Sequence, residues 1–181
     1  KMTPIDTDED RRFNNVKPTA WQNRVPSGRY DLVVIGGGTA GLVSAAGGAG
    51  LGARVALIEC DALGGDCLNT GCVPSKALLQ SARVAAAFSQ AWHYGVQSDS
   101  DPQVDFPTVM QRMRKLRAEI SENDSTERFS RLGVHVFFGR AAFTGPKSVS
   151  VDGTQIAFKR AILATGGSPH VPPMKGIETV N

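Results

Sequence analysis

Gly36-Gly-Gly-Thr-Ala-Gly41 stands between the apolar run Asp31-Leu-Val-Val-Ile35 and the small-residue stretch from Thr39 to about Ala49. A buried strand, a glycine turn and a helix in that order leave few choices of fold. Arg54-Val-Ala-Leu-Ile-Glu59 then supplies the second strand of a β-α-β unit. The spacing is G-x-G-x-x-G, placed where a bound dinucleotide needs it. The first glycine (Gly36) permits the tight turn, and the second (Gly38) lets the backbone approach a pyrophosphate held at the helix amino terminus formed by Thr39 and Ala40. The third (Gly41) allows close packing of helix on strand. Glu59, 23 positions beyond Gly36, ends the second strand. An acid there accepts hydrogen bonds from ribose hydroxyls and repels a 2′-phosphate. With its strand, helix and acid in place, the block reads as a binding loop rather than a structural turn. It does not choose between FAD and NAD, which share the adenosine diphosphate it recognises.

The uncharged stretch from Leu32 to Ala53 is about long enough to cross a bilayer as a helix, but eight of its residues are glycine. A buried strand and helix of a parallel sheet explain it better, and no membrane contact is expected. With 181 residues, 41% hydrophobic and 20% charged, the chain can bury one ordinary core, so one domain is expected, complete or not. The net charge of +3 comes from 20 basic and 17 acidic residues scattered along the sequence. No basic block tracks a phosphate backbone, which argues against nucleic acid as a partner. Three cysteines do not make the framework of a small secreted domain, and the polar amino terminus has no apolar signal core. A reducing, cytoplasmic setting is the expectation.

Residues 1–29 mix charges, Asn and Pro with isolated Phe13, Val16 and Trp21. They show no sustained period and read as an extension that clasps the domain, which occupies 30–181. Beyond the β-α-β unit the pattern predicts a helix from about Ser75 to Ser89, a turn-like segment from Ser98 to Pro107 and a second helix over Thr108 to Leu132. The charges of that second helix read as a solvated face. Strands are expected at Val134 to Phe138, Ser148 to Val151, Thr154 to Phe158 and Ala161 to Ala164, with a hairpin at Asp152-Gly153. The fold class is therefore α/β, a Rossmann-like nucleotide-binding domain with a parallel sheet plus a small antiparallel β-meander.

Gly64-Gly-Asp-Cys67-Leu-Asn-Thr-Gly-Cys72-Val-Pro-Ser-Lys76 places two cysteines five apart just after the nucleotide-binding unit. In a regular helix such residues have Cα atoms over about 8 Å apart, beyond the roughly 4.4 to 6.8 Å of a disulfide. A paired Cys67 and Cys72 therefore require a distorted segment. Gly71 offers backbone freedom, and Pro74 suits the first turn of a following helix, whose amino terminus would favour a Cys72 thiolate. A redox pair competes here with two buried thiols, with a structural disulfide and with two metal ligands. The last lacks partners, because His93, His135 and His170 stand at no recognisable ligand spacing, and no metal site is assigned. Cys60, beside Glu59, reads as a packed free thiol.

At these residues the sequence resembles the class I pyridine nucleotide-disulfide oxidoreductases, the family of dihydrolipoamide dehydrogenase, glutathione reductase and mercuric reductase. The likeness runs from about Tyr30 to Pro169. It rests on the G-G-x-C-x-N-x-G-C-x-P-S-K block and on Ala164-Thr165-Gly166, which matches the family's second flavin-domain signature. The resemblance implies FAD, with Gly36, Gly38, Gly41 and Glu59 at its adenosine end. Gly64, Gly65, Asp66, Cys67 and Lys76 would lie along the pyrophosphate and flavin, and Gly139, Arg140 and Ala141 would approach the adenine. It also implies that Cys67 and Cys72 are the redox pair. Electrons would pass from NAD(P)H to FAD to the disulfide, Cys72 facing the flavin as a charge-transfer thiolate, Cys67 exchanging with substrate and Lys76 tuning the flavin near N5. Asp66 stands where Thr is commoner. The implied substrate is mercuric ion or a disulfide/dihydrolipoamide-type compound. The extension from Asn15-Val16 to Tyr30 and the Gly65-Asp66-Cys67 variant lean towards the mercuric reductase branch. A second nucleotide fingerprint for NAD(P)H, the returning segment of the flavin domain and a dimerisation domain with a His-Glu pair are not in this sequence. An intact homodimer is implied, and the chain alone is expected not to turn over. A non-catalytic FAD- or nucleotide-binding module is the alternative; a plain NAD-dependent dehydrogenase domain would lack the block from Gly64 to Lys76.

Overall fold

The computed structural model describes residues 7–97, 100, 102–168 and 170–179. Its elements are α1 (Thr7–Val16), β1 (Tyr30–Ile35), α2 (Thr39–Gly50), β2 (Val55–Glu59), α3 (Gly65–Asn69), α4 (Cys72–Ser89), α5 (Phe106–Ser121), α6 (Thr126–Arg131), β3 (His135–Phe138), β4 (Ala141–Gly145), β5 (Ser148–Val151) and β6 (Thr154–Leu163). Short 3-10 turns follow at Ala91–Tyr94 and Ile177–Thr179.

The strands form one sheet in the order β3-β2-β1-β6-β5-β4. β3, β2 and β1 run parallel, and β1 pairs in parallel with β6 between Phe158 and Leu163. The earlier part of β6 pairs antiparallel with β5, and β5 with β4. The expected parallel sheet and antiparallel meander are thus both present, joined through one continuous strand rather than two short ones. In-register side chains alternate between the faces. Val34, Leu57 and Val136 pack with Val16, Leu42, Ala45, Leu68 and Phe129 beneath the helices. Ile35, Ile58 and Phe137 pack with Val149, Val151, Ile156 and Phe158 on the other face. Burial on both faces is why β1 and β2 read as unbroken apolar runs. Leu32 to Ala53 is therefore a strand, a turn and a helix, and among the described residues no helix is long and apolar enough to cross a membrane.

Four sequence expectations need correction. The extension is helical at α1, whose buried positions are Arg12 and Val16. An arginine one turn before the buried valine hides the apolar period. The helix expected over Thr108 to Leu132 begins at Phe106 and divides at Asn123-Asp124-Ser125. Asp105 caps α5 by accepting from the Thr108 N–H at 3.3 Å, and Ser125 caps α6 by accepting from the Arg128 N–H at 3.2 Å. The helix expected from Ser75 starts at Cys72, preceded by α3. β4 was not foreseen, its Ala-Ala-Phe-Thr-Gly sequence being strand only through its pairing with β5. Of the turn-like segment, Ser98, Asp99 and Asp101 lie outside the described residues, as does Pro169.

Candidate functional site

The site lies at the carboxyl ends of β1, β2 and β6. Gly36 leaves β1 with φ +107°, and a Cβ there would lie 2.1 Å from the Ala164 carbonyl oxygen. The strand ends are tied by Gly36 N–H donating to Ile58 O and Ala164 N–H donating to Ile35 O, each at 2.8 Å. A Cβ at Gly41 would lie 1.7 Å from the Gly36 carbonyl oxygen, so α2 can approach the turn only because that position is glycine. Gly38 precedes α2 as its N-cap and brings no capping side chain, which leaves the first N–H groups of the helix for a ligand.

Glu59 is buried, and its carboxylate takes a part in the loop that its expected ribose role did not require. One oxygen accepts from the Gly37 N–H at 2.6 Å and the other from the Asp61 N–H at 2.7 Å. Each oxygen keeps a further lone pair for a hydroxyl donor.

These ends enclose a cleft of about 430 Å³, within the range of small-molecule and cofactor sites. Among the residues assigned from sequence, Gly36, Gly38, Glu59, Gly65, Asp66, Gly139, Arg140, Ala141, Ala164, Thr165 and Gly166 line it. Ile35, Ile58, Cys60 and Gly167 line it too and were not assigned. Thr39, Ala40, Gly41, Gly64, Cys67 and Lys76 are not in the lining. Gly64 is buried with φ +88°, while Thr39, Ala40 and Lys76 are exposed at the starts of their helices. Cys60 is exposed rather than packed, because β2 ends at Glu59 and the next residue turns onto the cleft. Partial burial and then the neighbouring Glu59 push its thiol above the ordinary range.

The cysteines sit where α3 gives way to α4. α3 stops at Asn69, Thr70 and Gly71 leave helical geometry, and α4 starts at Cys72. Gly71 folds back so that its N–H donates to Asp66 O at 2.6 Å, and the Thr70 hydroxyl donates to the Asp66 carboxylate. The break sets the Cys72 side chain beside Cys67; both are free thiols here, Cys67 half-buried and Cys72 exposed. The neighbouring Cys72 thiol first, then burial, raise the Cys67 thiol above its ordinary range, while Thr39 and the Lys76 charge oppose the shift. Thr39 thus meets a cysteine rather than the cleft. Among the described residues no group of three or more His, Cys, Asp or Glu converges as a metal site.

The backbones of Gly38 and Gly65 abut, so the amino termini of α2 and α3 flank the same part of the cleft. A glycine-lined channel, uncapped N–H groups, a buried acid and the Arg140 cation make a donor and acceptor set that suits a dinucleotide such as FAD.

The profile of a family described as Pyridine nucleotide-disulphide oxidoreductase matches residues 30–181. A dihydrolipoyl dehydrogenase of Acholeplasma laidlawii is 33% identical over 152 residues, covering 84% of this chain and 45% of that protein. A mercuric reductase of Lysinibacillus sphaericus is 32% identical over 152 residues, covering 84% of this chain and 28% of that protein. Among solved structures, the Cu(II) complex of the HOCl-induced flavoprotein disulfide reductase RclA from Escherichia coli superposes with a TM-score of 0.65 at 29% identity. That match covers 82% of this chain and 31% of that one. The chain spans less than half the length of each of these relatives.

Proposed function

This chain belongs to the pyridine nucleotide-disulphide oxidoreductase family, and from that premise we propose that it is the FAD-binding portion of an NAD(P)H-dependent flavoprotein disulfide oxidoreductase with Cys67 and Cys72 as its redox pair. The observation that carries this reading is the break at Thr70-Gly71, which sets the two cysteines side by side immediately beyond Gly65 and Asp66 in the cleft lining. Residues 30–181 would form most of the flavin domain. The NAD(P)H site, the acid-base group and the dimerisation domain of a cytoplasmic homodimer would come from segments outside this sequence.

FAD held in the cleft would supply two-electron exchange between the reduced nicotinamide and the cysteine pair. Gly38 and Gly65 would let the backbone close on its pyrophosphate, Glu59 would take the ribose hydroxyls, and Gly139, Arg140 and Ala141 would border the adenine end. Cys67, half-buried and next to the cleft wall, is the sulfur for exchange with substrate. Its thiolate attacks one sulfur of a substrate disulfide, and the other leaves as a thiolate that takes up a proton. The Cys72 thiolate then displaces the bound substrate sulfur, which is also protonated. The products are a Cys67-Cys72 disulfide and two substrate thiols, so two electrons have left the pair. Lys76 favours the thiolate that this exchange requires. The substrate is mercuric ion or a disulfide/dihydrolipoamide-type compound, a dithiol giving its two electrons to the pair by the reverse of the same exchange.

The test titrates the full chain with FAD, reading flavin fluorescence, and then equilibrates it with oxidised and reduced dithiothreitol, trapping thiols by alkylation for mass spectrometry. A saturable flavin signal and a Cys67-Cys72 disulfide that disappears in Cys72→Ser are expected. FAD binding without any reversible Cys67-Cys72 bridge would replace this reading with a non-catalytic flavin-binding module.

A further inference from the structure

α1 precedes the segment that matches the family, yet it reaches the cysteine pair through a single residue, Asn69. Asn69 ends α3, two residues after Cys67 and three before Cys72. Its side-chain amide donates to Gly65 O at 2.8 Å and to Leu63 O at 3.1 Å, so it holds the loop entering α3. Its side-chain oxygen accepts from Arg12 Nη1 at 2.5 Å, and its main-chain carbonyl accepts from Arg117 Nη1 at 2.7 Å. Both amide hydrogens and one oxygen lone pair of this side chain thus hold one arrangement of the segment before the break.

The two arginines are themselves fixed by one carboxylate. Arg12 donates to Glu9 Oε2 through Nε at 3.1 Å and through Nη2 at 2.8 Å, and Arg117 Nη2 bonds the other Glu9 oxygen. Arg12 is only 6% exposed, and a buried guanidinium must find all its partners or carry a penalty. Three further ties hold α1 against the same loop and the helices beside it. Leu63 N–H donates to Val16 O at 3.0 Å, Lys17 pairs with Asp61 at 2.7 Å, and Asn15 Nδ2 donates to Ser121 Oγ at 2.8 Å.

The geometry points to α1 as a positioning element for the Cys67-Cys72 pair, with Arg12 acting through Asn69. Where the pair sits depends on how α3 ends, and the end of α3 is clamped from α1 on one side and from α5 on the other. The inference rests on the proposed redox role of the pair only for its consequence; the placement of the two sulfurs is a property of the chain itself. Arg12 is a positioning residue, and nothing in the arrangement has it touch substrate.

The experiment reads placement and redox behaviour separately on the full chain. Phenylarsine oxide bonds both sulfurs of a close dithiol through one arsenic, releasing water and changing no oxidation state, so its affinity reports spacing alone. A glutathione redox buffer reports the exchange in which oxidised glutathione and the dithiol give the Cys67-Cys72 disulfide and two glutathione thiols. Arg12→Ala is expected to weaken arsenical binding and to shift the dithiol-disulfide equilibrium, each by on the order of tenfold, as for loss of a buried charged hydrogen bond. Asn69→Ala should reproduce both shifts, and the double variant should add little to either. Arg11→Ala removes a different tie of α1, the exposed pair with Glu122, and should leave both within about twofold. If Arg12→Ala fails to fold, Arg12→Lys keeps the charge but not the fork that bonds Glu9 and Asn69 together, and should show the same two shifts. Equal arsenical affinity in wild type and the Arg12 variant, with α1 still protected from hydrogen exchange, overturns the positioning role even if the disulfide forms normally. Arg12-dependent arsenical binding in a chain that never forms the disulfide upholds positioning and removes the redox reading instead.

Discussion

Gly65 and Gly38 meet backbone to backbone, and a Cβ on Gly65 would lie 2.7 Å from the Gly38 Cα. The contact joins the loop after β1 to the loop after β2, so the two glycine motifs of the sequence form one structure rather than two adjacent ones. Gly65 also has φ +55°, in the left-handed region that other residues enter at a cost.

Gly65→Ala should therefore destabilise the chain by about 1–3 kcal/mol and weaken FAD binding at the same time. Urea unfolding together with flavin fluorescence titration checks both. A variant with unchanged stability and affinity would show that the two loops can separate freely.

Two glycines of α2 should respond in opposite directions. A Cβ at Gly41 would meet the Gly36 carbonyl oxygen at 1.7 Å, whereas one at Gly47 meets nothing within 4 Å. Gly41→Ala is expected to abolish stable folding or FAD binding. Gly47→Ala should stabilise by about 0.5–1 kcal/mol through helix propensity and a less flexible unfolded chain. Thermal unfolding of the pair decides it.

The alkylation profile of Cys67 should reveal its neighbours. The neighbouring Cys72 thiol is the foremost cause of its raised thiol, and Lys76 acts against it. In the reduced chain its reaction with iodoacetamide should have a midpoint above the ordinary 9.0. Cys72→Ala should bring that midpoint down and Lys76→Met should move it further up, as followed by mass spectrometry across a pH series.

Docking of α1 should fail in acid. Burial alone would raise the Glu9 carboxyl, but hydrogen bonds from Arg117 and Arg12 outweigh it and hold the group below its ordinary 4.5. A lowered carboxylate contributes stability that is fully present above the unfolded value and is lost as pH falls through the folded one. The protection factors of the α1 amides, corrected for the intrinsic pH dependence of exchange, should therefore hold above pH 4.5 and fall below it. Glu9→Gln should remove that acid dependence, leaving α1 less protected than the wild type at neutral pH and about equally protected in acid.

What the sequence discloses and what it withholds follow from how local each cause is. β1, the glycine turn, α2 and β2 are legible because strand burial, turn sterics and helix period all act within a few residues. The nearness of Cys67 to Cys72 is legible as a requirement, since the spacing forbids pairing in a regular helix and Gly71 offers the break. The remainder depends on distant partners. α1 is hidden because its buried positions include Arg12, whose partners Asn69 and Glu9 carry no apolar signal. β4 exists through β5, and the stop between α5 and α6 hangs on Ser125 as a cap. Cys60 was misread because facing the cleft depends on where β2 ends, not on the residue type.

β6 is paired on one part of its length with the meander and on the other with the central strand of the parallel sheet. The chain has no joint at that crossing. The meander and the wall of the cleft thus share one strand, which runs from Thr154 through Leu163 to Ala164, whose carbonyl oxygen lies where a Cβ on Gly36 would fall. The meander returns to the same cleft by a second route, where Asp152 accepts from the Arg140 N–H at 3.4 Å and lies where a Cβ on Gly139 would fall.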